Sequence, residues 1–69
     1  MSKLRSGARV RERREELGLT RERLALHAEV STSTVARLEL TDKLPGAEGL
    51  IRISRVLGLS LDELAEAAS

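Results

Sequence analysis

The sequence contains no cysteine, no aromatic residue and a single proline. Without cysteine it can form no disulfide, no thiolate zinc site and no cysteine nucleophile. No apolar run approaches the roughly 18 residues that a transmembrane helix requires. Residues 1–5 contain no apolar segment typical of a secretory signal. These absences argue against a disulfide-stabilised secreted protein or a membrane protein, and we expect a cytoplasmic protein.

The chain is short but apolar enough to fold. Its 69 residues suit one domain with one small core. An apolar content of 41% is too high for a disordered chain. Alternating β-branched runs, which would predict strands, are absent. The sequence therefore predicts a single all-α domain over residues 1–69, whose stability depends on helix packing.

Five short helices are predicted from apolar spacing and from residues that begin or end helices. Thr20, Ser31 and Ser60 are placed as N-caps, and Ser60 forms a capping box with Glu63. The predicted bounds are Lys3–Leu17, Arg21–Ala28, Thr32–Leu40, Ala47–Leu57 and Leu61–Ala67, with left-handed C-caps at Gly18 and Gly58 and a loop over Thr41–Pro45. Together they predict a compact five-helix bundle.

Apolar residues at three- and four-residue spacing predict which helix faces are buried. The first helix is unusual, because the charged Arg14 lies on its apolar stripe. The predicted inward residues are Leu4, Gly7, Val10, Arg14, Leu17, Leu24, Ala25, Ala28, Val35, Leu38, Leu50, Ile51, Ile53, Val56, Leu57, Leu61 and Leu64, with Ala36 at the boundary.

The second and third helices are separated by only three residues, which predicts a sharp corner between them over residues 20–40. If Val35 and Leu38 are buried, the opposite side of the third helix carries short hydroxyls and Arg37. Such a helix is narrow enough to enter a DNA major groove about 12 Å wide. Arg37 could then donate two hydrogen bonds to guanine, and Thr32 and Ser33 could meet base edges.

Charge is distributed unevenly along the chain. Residues 1–23 contain eight basic and four acidic residues, a net charge of +4, whereas residues 24–69 contain four basic and seven acidic residues, a net charge of −3. This asymmetry suits a protein with one face toward a polyanion. The alternative is a set of solvated helix faces, which we prefer for Arg52 and Arg55 and for most of the basic cluster of the first helix.

The segment Leu17–Glu39 resembles the phage Cro/repressor-type helix-turn-helix, or Xre family. The resemblance extends from Gly7 to Leu64. Its specific part is an ordered set of motifs: Leu24-Ala25, Val30-Ser31, Thr34-Val35, Leu38-Glu39, Pro45 and Leu57-Gly58-Leu59-Ser60. It implies a lambda-repressor-like fold and a transcriptional repressor rather than an enzyme. Such a repressor binds double-stranded DNA as a dimer on a two-fold symmetric operator, in a bacterium or a phage-infected host cell.

The resemblance also implies roles for individual residues. Thr32, Ser33 and Arg37 match the base-contacting positions, and Arg14 and Glu39 match a pair that forms a buried salt bridge. Phosphate contacts are expected from Arg21, Thr34 and Lys43 by position, and from Arg9 by its charge. No cofactor, metal or small-molecule ligand and no membrane partner is implied, and His27 lacks a second metal ligand.

The sequence departs from the family at several positions. Glu29 and Thr41 stand where the family often has glycine, so that either these residues are left-handed or the backbone differs locally. Leu40 and Asp42 replace residues that are more often polar or basic. Arg13 replaces a common leucine, so the first helix has less apolar surface to pack.

Leu40 and Leu44 flank the loop through which this family often dimerises, and we expect them at a homodimer interface. The alternative is that they fold back onto the core. A competing function is a protein-interaction module, or an antitoxin of the same fold, which would use these leucines and the acidic end formed by Asp62, Glu63 and Glu66. An enzyme is the weakest hypothesis, because no nucleophile–base pair or phosphate-binding loop is present.

Overall fold

The computed structural model describes the backbone of residues 5–68 and the side chains of residues 5–64. Within this part of the chain the predicted all-α, five-helix architecture is confirmed. The helices are α1 (Ser6–Glu16), α2 (Arg21–Ala28), α3 (Thr32–Thr41), α4 (Ala47–Leu57) and α5 (Leu61–Ala68). The bounds of α2 and α4 match the prediction. The prediction of Lys3–Leu17 for the first helix is too long, because Arg5 is extended and α1 ends at Glu16; Lys3 itself lies outside the described residues. Helix α3 continues through Thr41, so the loop covers residues 42–46.

Side chains and left-handed residues set the helix ends where the sequence predicts them. Thr20 Oγ1 accepts the N–H of Arg23 at 3.0 Å, and Ser31 Oγ accepts the N–H of Thr34 at 3.0 Å. Ser60 and Glu63 form the reciprocal capping box, with both hydrogen bonds at 3.0 Å. Gly18 and Gly58 have φ values of +72° and +69°, which confirms the predicted left-handed C-caps.

The core lies where α1 packs against α3 and α5, and where α2 packs against α3 and α4. Its members come from every helix. They include Leu59, in the α4–α5 connection, which helix periodicity does not predict as a core residue. The buried apolar residues are Val10, Leu24, Ala25, Ala28, Val35, Leu38, Ile53, Leu57, Leu59 and Leu64. Burial of this apolar surface is the main force that holds helices of only two or three turns together.

Some predicted core positions are wrong. Leu17 and Leu61 are each 41% exposed. Leu17 lies between the last residue of α1 and the left-handed Gly18, and Leu61 is the first residue of α5, so both stand at helix ends rather than within a buried helix face. Leu50 and Val56 are half-buried and pack against the core, in agreement with the prediction, and Ile51 is half-buried. Leu4 lies outside the described residues.

Two of the family departures receive a structural explanation. Glu29 is left-handed with φ +56°, so it takes the conformation that glycine favours at the end of α2. Thr41 is helical instead, and the left-handed residue is Asp42 with φ +59°. The end of α3 therefore differs locally from the expectation by one residue.

Arg13, the third departure, provides a polar link between α1 and α4. Its Nε donates to the carbonyl oxygen of Leu57 at 2.8 Å, and its Nη1 contacts Glu16 at 3.2 Å. Leu57 is the last residue of α4, where backbone carbonyls lack helical partners and a positive charge is favourable. A long cation thus replaces apolar packing at this position.

The remaining basic residues of the first helix pair along the helix, as predicted. Arg9 contacts Glu12 at 2.8 Å, and Arg11 contacts Glu15 at 3.3 Å.

Across residues 5–68, no helix combines the length and the apolar character needed to cross a membrane.

Candidate nucleic-acid interface

The corner between α2 and α3 is built from local backbone geometry. The left-handed Glu29 reverses the chain, and the N–H of Val30 returns to the carbonyl of Ala25 at 3.0 Å. Ser31 then begins α3 as its N-cap. Because Val35 and Leu38 are fully buried, α3 is seated by one face and presents the opposite face outward.

The outward face of α3 carries the predicted base-contacting residues. Thr32, Ser33 and Arg37 are all exposed. Among the described residues, the Arg37 side chain makes no hydrogen bond or ion pair, so its guanidinium is available to an external acceptor. Ala36 is half-buried beside it, at the boundary that its size predicts. The structure therefore brings these three polar residues to one accessible side of a single short helix.

A concavity of about 160 Å³ lies beside this face, between α3 and the loop that follows it. Its lining combines two cations, a hydroxyl and the start of α4: Thr34, Arg37, Lys43, Leu44, Pro45 and Gly46. Thr34 Oγ1 is 2.8 Å from Ser31 Oγ, and Gly46 caps α4 without a side chain. Free backbone N–H groups at a helix start, together with two cations, make this concavity favourable for an anion.

Beneath the outer face, a buried ion network joins three helices. Arg14 donates to Glu39 through two bonds, Nε to Oε2 at 2.7 Å and Nη2 to Oε1 at 3.0 Å. Its Nη1 donates to the carbonyl of Leu19 at 2.7 Å. The Glu39 side chain is 0% exposed. The network therefore ties α3 to α1 and determines how α3 projects from the domain.

The charge state of Arg14 follows from these contacts. The hydrogen bonds that Arg14 donates to the Glu39 carboxylate raise the pKa of Arg14, and this effect outweighs the lowering caused by burial. The guanidinium therefore stays ionised, and the buried carboxylate always faces a cation.

Arg21 belongs to the same network, a contact that the sequence does not predict. Its Nε donates to Glu39 Oε1 at 3.0 Å. Arg9, the other expected phosphate contact outside α3 and its loop, lies on α1 and pairs with Glu12. The structure therefore groups Arg37, Lys43 and Thr34 around one concavity but places Arg21 and Arg9 in separate surroundings.

Leu40 and Leu44 do not form the exposed pair that the sequence predicts. Leu40 is 65% exposed, but Leu44 is half-buried and packs against the core. The alternative that leucines of this loop fold back therefore applies to Leu44, because Pro45 and Gly46 turn the chain toward α4 directly after it. Leu26, on the outer side of α2, is also 65% exposed and was not singled out from the sequence.

No group of three or more possible metal ligands occurs among the residues that the structure describes. His27, the only histidine of the sequence, is exposed.

Comparison with known proteins agrees with this geometry. Residues 10–64 match the helix-turn-helix family, which covers all of α2, α3 and α4. A search of curated proteins gave no match. The matched segment contains the corner, the buried faces that seat α3 and the outward polar face described above. The chain therefore belongs to the Xre, or lambda repressor-like, family of helix-turn-helix DNA-binding proteins.

Proposed function

We propose that this transcription regulator is a sequence-specific repressor of the Cro type, which binds a two-fold symmetric operator as a homodimer. The observation that carries the proposal is the accessible face of α3, on which Arg37 is exposed while Val35 and Leu38 on the opposite side are buried. A helix held in this way can enter the major groove without disturbing the core.

Base contacts are assigned to Arg37, Thr32 and Ser33. Arg37 can donate two hydrogen bonds to the O6 and N7 atoms of guanine, which is the commonest specific contact in the major groove. Thr32 and Ser33 lie in the first turn of α3, the part of a recognition helix that reaches the base edges. Their hydroxyls can donate or accept, and the threonine methyl can contact thymine.

Phosphate contacts are assigned to Lys43, Thr34, Arg21 and Arg9. Lys43 is exposed beside the concavity that also contains Arg37, so it can meet the backbone next to the bases that Arg37 contacts. Contacts of this kind set the register of the protein on the duplex and supply most of the salt-dependent affinity.

Dimer formation is assigned to the surface around Leu40, which remains largely exposed. Leu44 contributes only the part of its side chain that the core leaves uncovered. One domain of this size makes few base contacts, and a second copy on the other half-site would double them.

A salt titration separates this function from a protein-interaction module of the same fold. Affinity for a fluorescent duplex is measured between low and moderate salt, and log Kd is plotted against log salt. The slope should be steep, and Lys43→Gln should lower it by about 0.9 for the one lost phosphate contact. Arg55→Gln, an exposed arginine on α4, is the matched control and should leave the slope unchanged. A flat slope for the unaltered protein would favour the interaction module.

A further inference from the structure

The buried carboxylate of Glu39 receives a second arginine in addition to Arg14. Arg21 approaches it from the first turn of α2, and the bond uses Nε alone. Two guanidinium groups against one carboxylate leave one positive charge in excess. That excess lies with the more exposed partner, since the side chain of Arg21 is 32% exposed and that of Arg14 is 11% exposed.

The bond to the carboxylate leaves the two Nη groups of the Arg21 guanidinium unused. Within the part of the chain that the structure describes, neither Nη atom of Arg21 makes a hydrogen bond or an ion pair. A guanidinium is planar and rigid, so fixing Nε also fixes where the two Nη groups point. Arg21 is also the first residue of α2, where the helix dipole favours an anion.

We propose that Glu39 is a positioning residue for DNA binding, which holds Arg21 through Nε so that both Nη groups face a backbone phosphate. This inference rests on the proposed function. Because Glu39 belongs to α3, the same carboxylate connects the phosphate contact of α2 to the helix that carries Arg37. Arg21 also loses less side-chain entropy on binding, since it is already ordered in the free protein.

The choice of arginine is specific to this arrangement. A guanidinium has three nitrogens, so it can bond to Glu39 with one and to a phosphate with the others. A lysine at position 21 would keep the charge, but its single nitrogen would be captured by the buried carboxylate. Arginine and lysine at position 21 should therefore differ in phosphate binding, although both carry one positive charge.

The test compares Arg21→Lys and Arg21→Gln with the unaltered protein, on a duplex that the unaltered protein selects from a random pool. Both variants should bind at least about tenfold more weakly, the effect expected for losing hydrogen bonds to a charged group. Arg23→Lys and Arg23→Gln, at an exposed arginine of the same helix, are the controls and should change affinity by less than about twofold. Thermal unfolding of each variant establishes that the folded protein is compared.

A double-mutant cycle addresses Glu39 directly. Glu39→Gln should weaken binding in the presence of Arg21, and the same change should weaken binding far less in the Arg21→Gln background. If Glu39 only holds α3 in place, Glu39→Gln should reduce the affinity for DNA equally with Arg21 present and in the Arg21→Gln background. Should Glu39→Gln fail to fold, the Arg21 series decides the question alone.

The outcomes separate this inference from the proposed function. If the unaltered protein selects no duplex sequence, the proposed function fails. If it selects one and Arg21→Lys binds equally well, charge alone suffices and positioning by Glu39 is refuted. If Arg21→Gln also binds equally well, Arg21 serves only to neutralise the buried carboxylate, and the inference is again overturned.

Discussion

The carboxylate of Asp42 accepts a hydrogen bond of 3.0 Å from the backbone N–H of Gly7, a residue 35 positions earlier in the chain. Asp42 is the left-handed residue that ends α3, and Gly7 lies in the first turn of α1. A carboxylate at this place satisfies a backbone donor that the helix cannot, and it complements the positive end of the α1 dipole. The residue that ends α3 therefore also caps α1.

Removing this cap should destabilise the domain. Asp42→Ala should lower the free energy of unfolding by about 1 kcal/mol for the lost cap, since alanine keeps the Cβ that aspartate already holds at positive φ. Asp42→Gly loses the same cap but relieves about 1 kcal/mol of strain at φ +59°, so it should be more stable than Asp42→Ala. Urea unfolding measures both variants. A glycine variant no more stable than the alanine variant would contradict the assignment.

The close approach of α1 to α3 depends on the absence of a side chain at Gly7. A Cβ atom there would collide with the carbonyl oxygen of Leu38 and lie 2.8 Å from Asp42 Oδ1. Gly7→Ala should therefore cost about 3 kcal/mol or more, because backbone atoms must move. Gly49→Ala is the control: its Cβ would make ordinary contacts of 3.4 Å and longer, so the variant should gain about 0.5–1 kcal/mol from helix propensity. Equal effects in the two variants would refute the close approach.

Features encoded locally could be predicted from the sequence. The bounds of α2 and α4, the capping box of Ser60 and the glycine C-caps depend on residues within one turn of each other. Three contacts between residues far apart in sequence could not be predicted: the Gly7–Asp42 bond, the Arg13–Leu57 bond and the Arg21–Glu39 pair. Their proximity is decided only when the helices pack.

The same distinction applies to the candidate site. The exposure of Arg37 follows from the burial of Val35 and Leu38 on the opposite face of one helix, and periodicity predicts this. The partial burial of Leu44 depends on how the loop returns to the core, about which its neighbours in sequence say little. The contact between Arg21 and Glu39 could not be predicted either, because the position of Arg21 in the family pattern indicated only a phosphate contact.

The free energy of unfolding should fall by different amounts when Glu39 or Arg14 is removed from the buried ion network. Glu39→Ala should cost about 3–5 kcal/mol, because it leaves the buried Arg14 without its anion. Arg14→Met should cost less, since Glu39 keeps Arg21 as a partner. Thermal unfolding gives the order, and loss of a cooperative transition for Glu39→Ala alone would agree with it. A larger loss for Arg14→Met would contradict the three-residue arrangement.

The network should also be insensitive to pH near neutrality. Because the pKa of Arg14 is raised, the stability that its ionised form contributes is fully present below its ordinary value and is lost only in strong alkali. Comparing the free energies of unfolding of the unaltered protein and Arg14→Met between neutral and mildly alkaline pH should give a constant difference. A difference that shrinks in this range would refute the assignment.

The left-handed Glu29 offers a stabilising change. Glu29→Gly should raise the free energy of unfolding by about 1 kcal/mol, because glycine has no Cβ to strain at φ +56°. Glu29→Ala, which removes the same carboxylate but keeps a Cβ, should give no such gain. The two variants together separate backbone strain from charge at this exposed turn.

The central claim is that α3 recognises DNA sequence through Arg37. The most direct test is selection of bound duplexes from a random pool, with the unaltered protein and with Arg37→Ala in parallel. The unaltered protein should select a two-fold symmetric sequence, and the variant should lose preference at one base pair of each half-site, by about 1–3 kcal/mol, while the other positions keep theirs. Uniform weakening at every position would show that Arg37 contacts only the backbone and would contradict the claim.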